Sequence, residues 1–163
     1  MTPHLDKEAV REAMLRELDR RIHAMTESVH ATREGATHEE SRPENDKDTR
    51  GLEASYLARG QAQRVVDLES DRVALQHLDL RRVGADEAIE PGALVEIEVD
   101  GEPQTLLLAL RGGGLRVEMG DDSVQVVTPS SPVGASLVGA RVGESFELRV
   151  GGRRREYEIV GVC

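Results

Sequence analysis

Tryptophan is absent from this chain, and Tyr56, Phe146 and Tyr157 are its only aromatic residues. Aromatic side chains bury the largest apolar areas, so their scarcity, with a hydrophobic fraction of 38%, points to a small core and much solvated surface. Cysteine is confined to Cys163, which excludes an internal disulfide framework and fits a reducing compartment. No apolar run approaches the roughly 18 residues of a membrane span, and the opening residues do not resemble a signal peptide, so a cytoplasmic location is expected. Basic charge is also short. Against 31 Asp and Glu stand 21 Lys and Arg, a net charge of -10 that excludes a free-standing binder of duplex DNA and favours partners with basic surfaces. The histidines have no compact metal-ligand spacing, so no structural zinc is expected. Gly112 to Gly114 lack a following Gly-Lys-Ser or Gly-Lys-Thr and read as a turn rather than a phosphate loop.

What is present divides near residue 80. Through Leu80 apolar residues recur at helical spacing among charged ones; beyond it Val, Leu and Ile alternate with polar residues between glycines. The expected domains are therefore 1–80 and 81–163. Leu15, Leu18, Ile22, Met25 and Val29 form one helical stripe, predicting a helix from about Lys7 to Thr32, roughly 40 Å long. A second stripe runs through Leu52, Tyr56, Val65, Leu68, Leu75 and Leu78, interrupted by Arg59 and Arg72. Two such helices with little else to cover their seams pack antiparallel, as a coiled-coil hairpin.

The turn contains "ATHEESRPENDKDTRG" (36–51). Gly35 is expected to end the first helix. Ser41 and Glu44 fit a capping box with Pro43 in the first turn, so the second helix starts at Arg42, or nearer Asp48 or Thr49 because Gly51 weakens the earlier start. The tip, around residues 39–48, projects Glu39, Glu40, Glu44, Asp46 and Asp48. Carboxylates at a helix N-terminus are favoured by its exposed N–H groups, so a solvated, well-capped helix start stands beside any functional reading.

The second half predicts five or six antiparallel strands with one short helix, an α+β arrangement. Residues 92–102 alternate and reach Asp100-Gly101, a hairpin dipeptide. Leu106, Leu107, Leu108 and Leu110 read as a buried return strand, and 144–150 and 154–162 as a final hairpin around Gly151-Gly152. Ser131 is expected to cap a short helix with Pro132 in its first position and Gly139 near its end.

The segment "SPVGASLVGARVGESFELRVGGRRREYEIVGV" (131–162) resembles the C-terminal signature of the bacterial GreA/GreB transcript cleavage factors. With the hairpin and the break near 80, the resemblance covers nearly the whole chain. It implies an N-terminal antiparallel coiled-coil hairpin followed by an FKBP-like antiparallel β-sheet domain with one short helix. It also implies a monomer that binds RNA polymerase through residues 81–163, with Ser131, Pro132, Gly134, Gly139, Arg153 and Arg154 as partner-binding residues. The hairpin would enter the secondary channel, and its acidic tip would help hold a Mg²⁺ shared with the polymerase active centre, so that the polymerase cleaves backtracked nascent RNA. A two-metal site suits that chemistry because Mg²⁺ prefers oxygen ligands. The chain itself is then a cofactor of the polymerase, not an enzyme, and binds no DNA sequence of its own.

Carried onto this sequence, the family tip pattern of Asp, hydrophobic, variable, Glu-Asn places Glu44-Asn45 on its Glu-Asn pair, Ser41 on the Asp and Arg42 on the hydrophobic residue. A hydroxyl brings no charge to a metal. The leading expectation is cleavage stimulation with Glu44 as the main catalytic and metal-holding carboxylate, assisted by Glu40 or Asp46. The alternative is a Gre-like secondary-channel regulator that inhibits or competes without stimulating cleavage. A coiled-coil scaffold is a third reading. Arg153, Arg154 and Arg155 read either as a charged hairpin or as a contact to polymerase or nearby RNA, and Arg50, Arg59 and Arg64 as residues facing the channel.

Overall fold

A computed structural model of the protein describes the backbone of residues 4–40 and 45–163, with side chains at 4–31, 51–53 and 55–163. Two long helices, α1 (Lys7–Glu40) and α2 (Asn45–Gln76), precede strands β1 (Leu94–Val99), β2 (Glu102–Leu108), β3 (Arg116–Met119) and β4 (Asp122–Val127). A short helix α3 (Pro132–Leu137) and strands β5 (Ser145–Val150) and β6 (Arg153–Val162) follow. This is the expected helical hairpin and strand domain with one short helix. The chain forms two compact units, Arg16–Arg72 and a second built from Met1–Leu15 with Val73–Cys163.

Within the first unit the two helices run antiparallel. Arg72 Nε donates to Asp19 Oδ1 at 2.6 Å, and Gln61 Nε2 donates to Ser28 Oγ at 3.0 Å, so positions descend along α2 as they rise along α1. Arg72, an apparent interruption of the stripe, is thus one of the links across the hairpin. Leu18 and Val29 are buried and Ile22 and Met25 half-buried, as the stripe predicts. In α2 the expected seam is corrected. Ala58 is buried and Val65 and Leu68 are half-buried, whereas Leu52 and Tyr56 are 55% and 60% exposed. At 100° per residue Tyr56 lies on the face opposite Val65, so it cannot share that seam. Its ring lies beneath the Arg59 guanidinium instead, at 5.8 Å.

Glu17 accepts hydrogen bonds from Arg20 and Arg21, which are the main cause of a pKa lowered from 4.5 to about 2. A carboxylate depressed in the folded state stabilises it fully above the ordinary value and loses that contribution as pH falls towards 2. Glu17→Gln is expected to flatten the dependence of hairpin stability on pH between about 4.5 and 2 by less than about 1 kcal/mol, because the cluster lies at the surface. Thermal melts of both proteins across that range measure it.

In the second unit the stripe of α1 begins earlier than expected. Val10 and Met14 are fully buried, while Leu15 is half-buried. Positions 10, 14 and 18 continue the spacing of the later stripe, so the seam runs through Met14. Leu75 and Leu78 of the following segment are also buried. Arg11 donates to the carbonyls of Gln76 (2.6 Å), the last residue of α2, and of Leu78 (2.7 Å) just beyond it, at the end of a helix where carbonyls need partners from outside the helix. Lys7 Nζ donates to the carbonyls of Arg81 (2.8 Å) and Cys163 (2.7 Å), and burial pushes its pKa down. Arg11→Met removes two charge-assisted bonds, one of them to the part-buried Leu78 carbonyl, at an expected cost of about 2 kcal/mol. Thermal unfolding and amide exchange at residues 77–80 check it.

One mixed sheet carries the unit, in the order β3-β4-β2-β1-β6-β5. Asp100 and Gly101, with φ of 51° and 85°, turn β1 into β2 as the hairpin dipeptide predicts. The all-antiparallel expectation needs one correction: β2 and β4 are parallel, pairing Thr105 with Val124 through Leu108 with Val127. Hydrophobic sorting explains it. Val124, Val126 and Val127 of β4 are buried, so this strand takes the inner position, and the shorter β3, which exposes Arg116 and Glu118, takes the edge. Leu110 lies beyond the end of β2 and is exposed. One face of the sheet packs Val95, Ile97, Leu106, Leu108 and Ile159 with Leu137 of α3. Towards the other face Leu75 lies against Gly112, beside Val126.

Candidate functional site

Two places carry the residues singled out by the sequence, one in each unit. At the hairpin end Glu40 is the last residue of α1 and Asp46 the second of α2. Their side chains, and all of Ser41, Arg42, Pro43 and Glu44, lie outside the described residues, as does the expected capping box. The expected helix ends are corrected. α1 continues through Gly35 to Glu40, and α2 is already helical at Asn45, ahead of the start near Asp48 or Thr49, while the alternative start at Arg42 lies outside the described residues. A glycine costs about 1 kcal/mol inside a helix, which continued propagation of the helix offsets. Among the described residues no group of three or more His, Cys, Asp or Glu is placed to hold a metal ion. Further along the hairpin, Met25, Tyr56, Leu57 and Leu68 line a groove to which Arg20 and Arg64 contribute.

The second place is α3. Ser131 caps it, its Oγ accepting from the Gly134 N–H (3.1 Å) and donating to the Thr128 carbonyl (2.8 Å), with Pro132 in the first position as expected. Gly134 is buried, and a Cβ there would overlap the Thr128 carbonyl. Gly139, at φ 80°, turns the chain out of the helix, and its N–H donates to the Ile89 carbonyl at 2.8 Å. Three of the four signature positions therefore hold α3 in place from within: a cap, a close approach and a turn. The outer surface belongs to Pro132, Ala135 and Val138, all exposed. Ala135 and Val138 are absent from the signature reading. Their signal is the three-residue spacing from Pro132, visible once the buried positions Gly134 and Leu137 are known.

Arg153 and Arg154 lie on β6, just after the turn from β5, and both are exposed. Arg154 Nη1 is 3.8 Å from Glu147 Oε2 and Arg155 Nε 3.9 Å from Asp100 Oδ2, so the basic run is laced to neighbouring acids. Among the described residues no helix is long and apolar enough to cross a membrane.

Comparison with known proteins places this arrangement in a family. Residues 85–163 match "Transcription elongation factor, GreA/GreB, C-term". Transcription elongation factor GreA of Desulfovibrio desulfuricans is 32% identical over 127 residues, covering 76% of this chain and 74% of the relative. GreA of Mycobacteroides abscessus is 36% identical over 63 residues, covering 37% of this chain and 36% of the relative, so the chain spans about a third of that protein's length. The solved structure of GreA factor homolog 1 (Gfh1) of Thermus thermophilus aligns with 93% of this chain and 95% of its own, at 20% identity and a TM-score of 0.36. Cleavage stimulation, the leading expectation from the sequence, is corrected here. The solved structures aligned over 92–93% of the chain bear the name Gfh1, and the reading that takes its place rests on this chain's own residues. By its C-terminal match and its likeness to the Desulfovibrio protein, the chain belongs to the GreA/GreB family of transcription elongation factors.

Proposed function

We propose that the chain is a Gre-like regulator that occupies the secondary channel of RNA polymerase without stimulating transcript cleavage, and so competes with cleavage factors. The observation that carries this reading is the pair Ser41-Arg42, which stands where the family tip pattern has an acid and a hydrophobic residue. Mg²⁺ is held by charged oxygen ligands, and a neutral hydroxyl followed by a cation is a poor substitute. Residues 1–80 form the inserting hairpin and residues 81–163 the docking domain. Glu44, with Glu40 and Asp46 beside it, supplies the carboxylates that meet the Mg²⁺ of the polymerase active centre. The chain holds no metal stably by itself and is not an enzyme. Docking uses the surface of α3, framed by Ser131, Pro132, Gly134 and Gly139, together with Arg153 and Arg154. The protein acts where the polymerase is, in the cytoplasm, and meets nascent RNA only within the elongation complex.

The test is a backtracked elongation complex with a labelled transcript. The chain is expected to bind core polymerase, to leave the transcript at full length in Mg²⁺, and to slow shortening by an authentic cleavage factor as its concentration rises. Failure to bind core polymerase, or shortening of the transcript by the chain alone, overturns the reading.

A further inference from the structure

The outer edge of β5 carries a pattern that neither the proposed docking surface on α3 nor the hairpin includes. Its backbone directions follow from β6. The Asp100 N–H donates to the Glu156 carbonyl (2.9 Å), and the Glu156 N–H donates to Asp100 Oδ1 (3.0 Å), so Glu156 faces β1. Backbone groups alternate along a strand, so Arg153, Arg155 and Tyr157 face β5, opposite Val150, Leu148 and Phe146. Those three residues of β5 therefore point inwards. Ser145, Glu147 and Arg149 point their N–H and C=O groups outwards, along an edge beside which the described residues place no further strand. β5 carries neither a proline nor a bulge to interrupt pairing at that edge, and its pairing with β6 shows no register shift.

We propose that a second copy of this chain pairs with β5 edge to edge, antiparallel, about a two-fold axis at Leu148. An antiparallel partner forms its ladder only where outward-pointing residues meet one another. Around the middle of β5 that leaves three registers: Glu147 opposite Glu147, Arg149 opposite Arg149, or Glu147 opposite Arg149. Like charges directly opposite are destabilising and opposite charges stabilising, which selects the third. That register places Glu147 against Arg149 twice, once on each side of the axis. It also sets Leu148 against its own copy and Val150, 47% exposed, against Phe146.

The charges within one chain support the same register. On this face β5 and β6 pair like with like, Glu147 opposite Glu156 and Arg149 opposite Arg154, relieved by the diagonal contact of Arg154 with Glu147. A second copy gives both β5 charges an opposite partner directly across the strand. The strand is six residues long, so the interface is small and belongs to the weak, transient class. The pairing departs from the monomer expected of the sequence, and it does not depend on the proposed function, because the free protein reports it.

Sedimentation equilibrium of the full chain over a concentration series, at low and high salt, is the test. The mass is expected to rise from 17.8 kDa towards twice that value with concentration, and less steeply in high salt. Arg149→Glu and Glu147→Arg each place like charges across the axis and are expected to abolish the rise. The double exchange Glu147→Arg with Arg149→Glu is expected to restore it. Both positions are exposed, and Arg149→Glu creates an opposite pair with Arg154, so its melting temperature should hold or rise while association is lost. A chain that stays monomeric throughout overturns the proposal. So does association that survives either single change, or that the double exchange fails to restore.

Discussion

Ser41→Asp combined with Arg42→Leu is expected to turn this chain into a factor that shortens backtracked transcripts, raising the cleavage rate over the unaltered protein by on the order of 100-fold. The scale is that of one preorganised group at a catalytic centre, commonly 10²–10³ in rate, the aspartate acting through the Mg²⁺ it would help hold. The aspartate supplies the carboxylate that the family pattern has three residues before Glu44, and the leucine removes the cation next to it in sequence. Arg42→Leu alone should leave the transcript intact, because it restores no ligand. Time courses on a stalled complex with labelled RNA distinguish the outcomes. If the double variant binds polymerase as well as its parent yet cleaves nothing, Ser41 is not what separates this chain from cleavage factors. Free RNA should stay whole in every case, because the proposed reading assigns the metal centre to the polymerase.

The largest stability effect is expected at Gly134. A Cβ at this position would overlap the Thr128 carbonyl, which also accepts the Ser131 hydroxyl at 2.8 Å. Relief requires the 128–131 turn to move and breaks the cap of α3. Gly134→Ala is therefore expected to cost about 3 kcal/mol, the upper end for overpacking, and to lower the melting temperature by roughly 10 °C or more. Gly139→Ala provides the contrast. Its φ of 80° disfavours a side chain, but nothing lies within 4 Å of the Cβ position, so a cost of about 1 kcal/mol is expected. Calorimetry of the two variants ranks the effects. Equal losses would mean that the 128–131 turn moves aside cheaply, because Gly134 lies within α3 at an ordinary helical φ and has only the close approach to Thr128 to exclude a side chain.

These two positions also show what was legible in the sequence. Where a structural requirement is local, it could be read directly: Ser131 as a cap, Pro132 after it and Asp100-Gly101 as a turn each satisfy a rule that spans four residues or fewer. Non-local requirements were harder. The parallel pairing of β2 with β4 depends on which strand is apolar enough for the interior of the sheet, a comparison between segments and not a property of either. In α2 the seam is partly built from Ala58, while the larger Leu52 and Tyr56 lie elsewhere, so reading by size drew the stripe along the wrong face. The signature around α3 was legible as a pattern, but burial was needed to separate the residues that frame the helix from Ala135 and Val138 on its surface.

The bond from Lys7 to the carbonyl of Cys163 joins residues 156 positions apart and belongs to a unit that is discontinuous in sequence, with Arg16–Arg72 inserted between its two parts. This bears on folding order. The entropy lost in closing a loop grows with its length, and contacts between distant segments form slowly. The hairpin pairs neighbouring segments of the chain, so it is expected to form early and to bring residues 15 and 73 together before the sheet closes. In kinetic terms the insertion is a staple: it replaces a long flexible loop by a short effective one. Changes that loosen α1 against α2 far from the sheet, such as loss of the Arg72–Asp19 pair, should then slow the folding of the sheet unit while leaving its finished stability nearly unchanged.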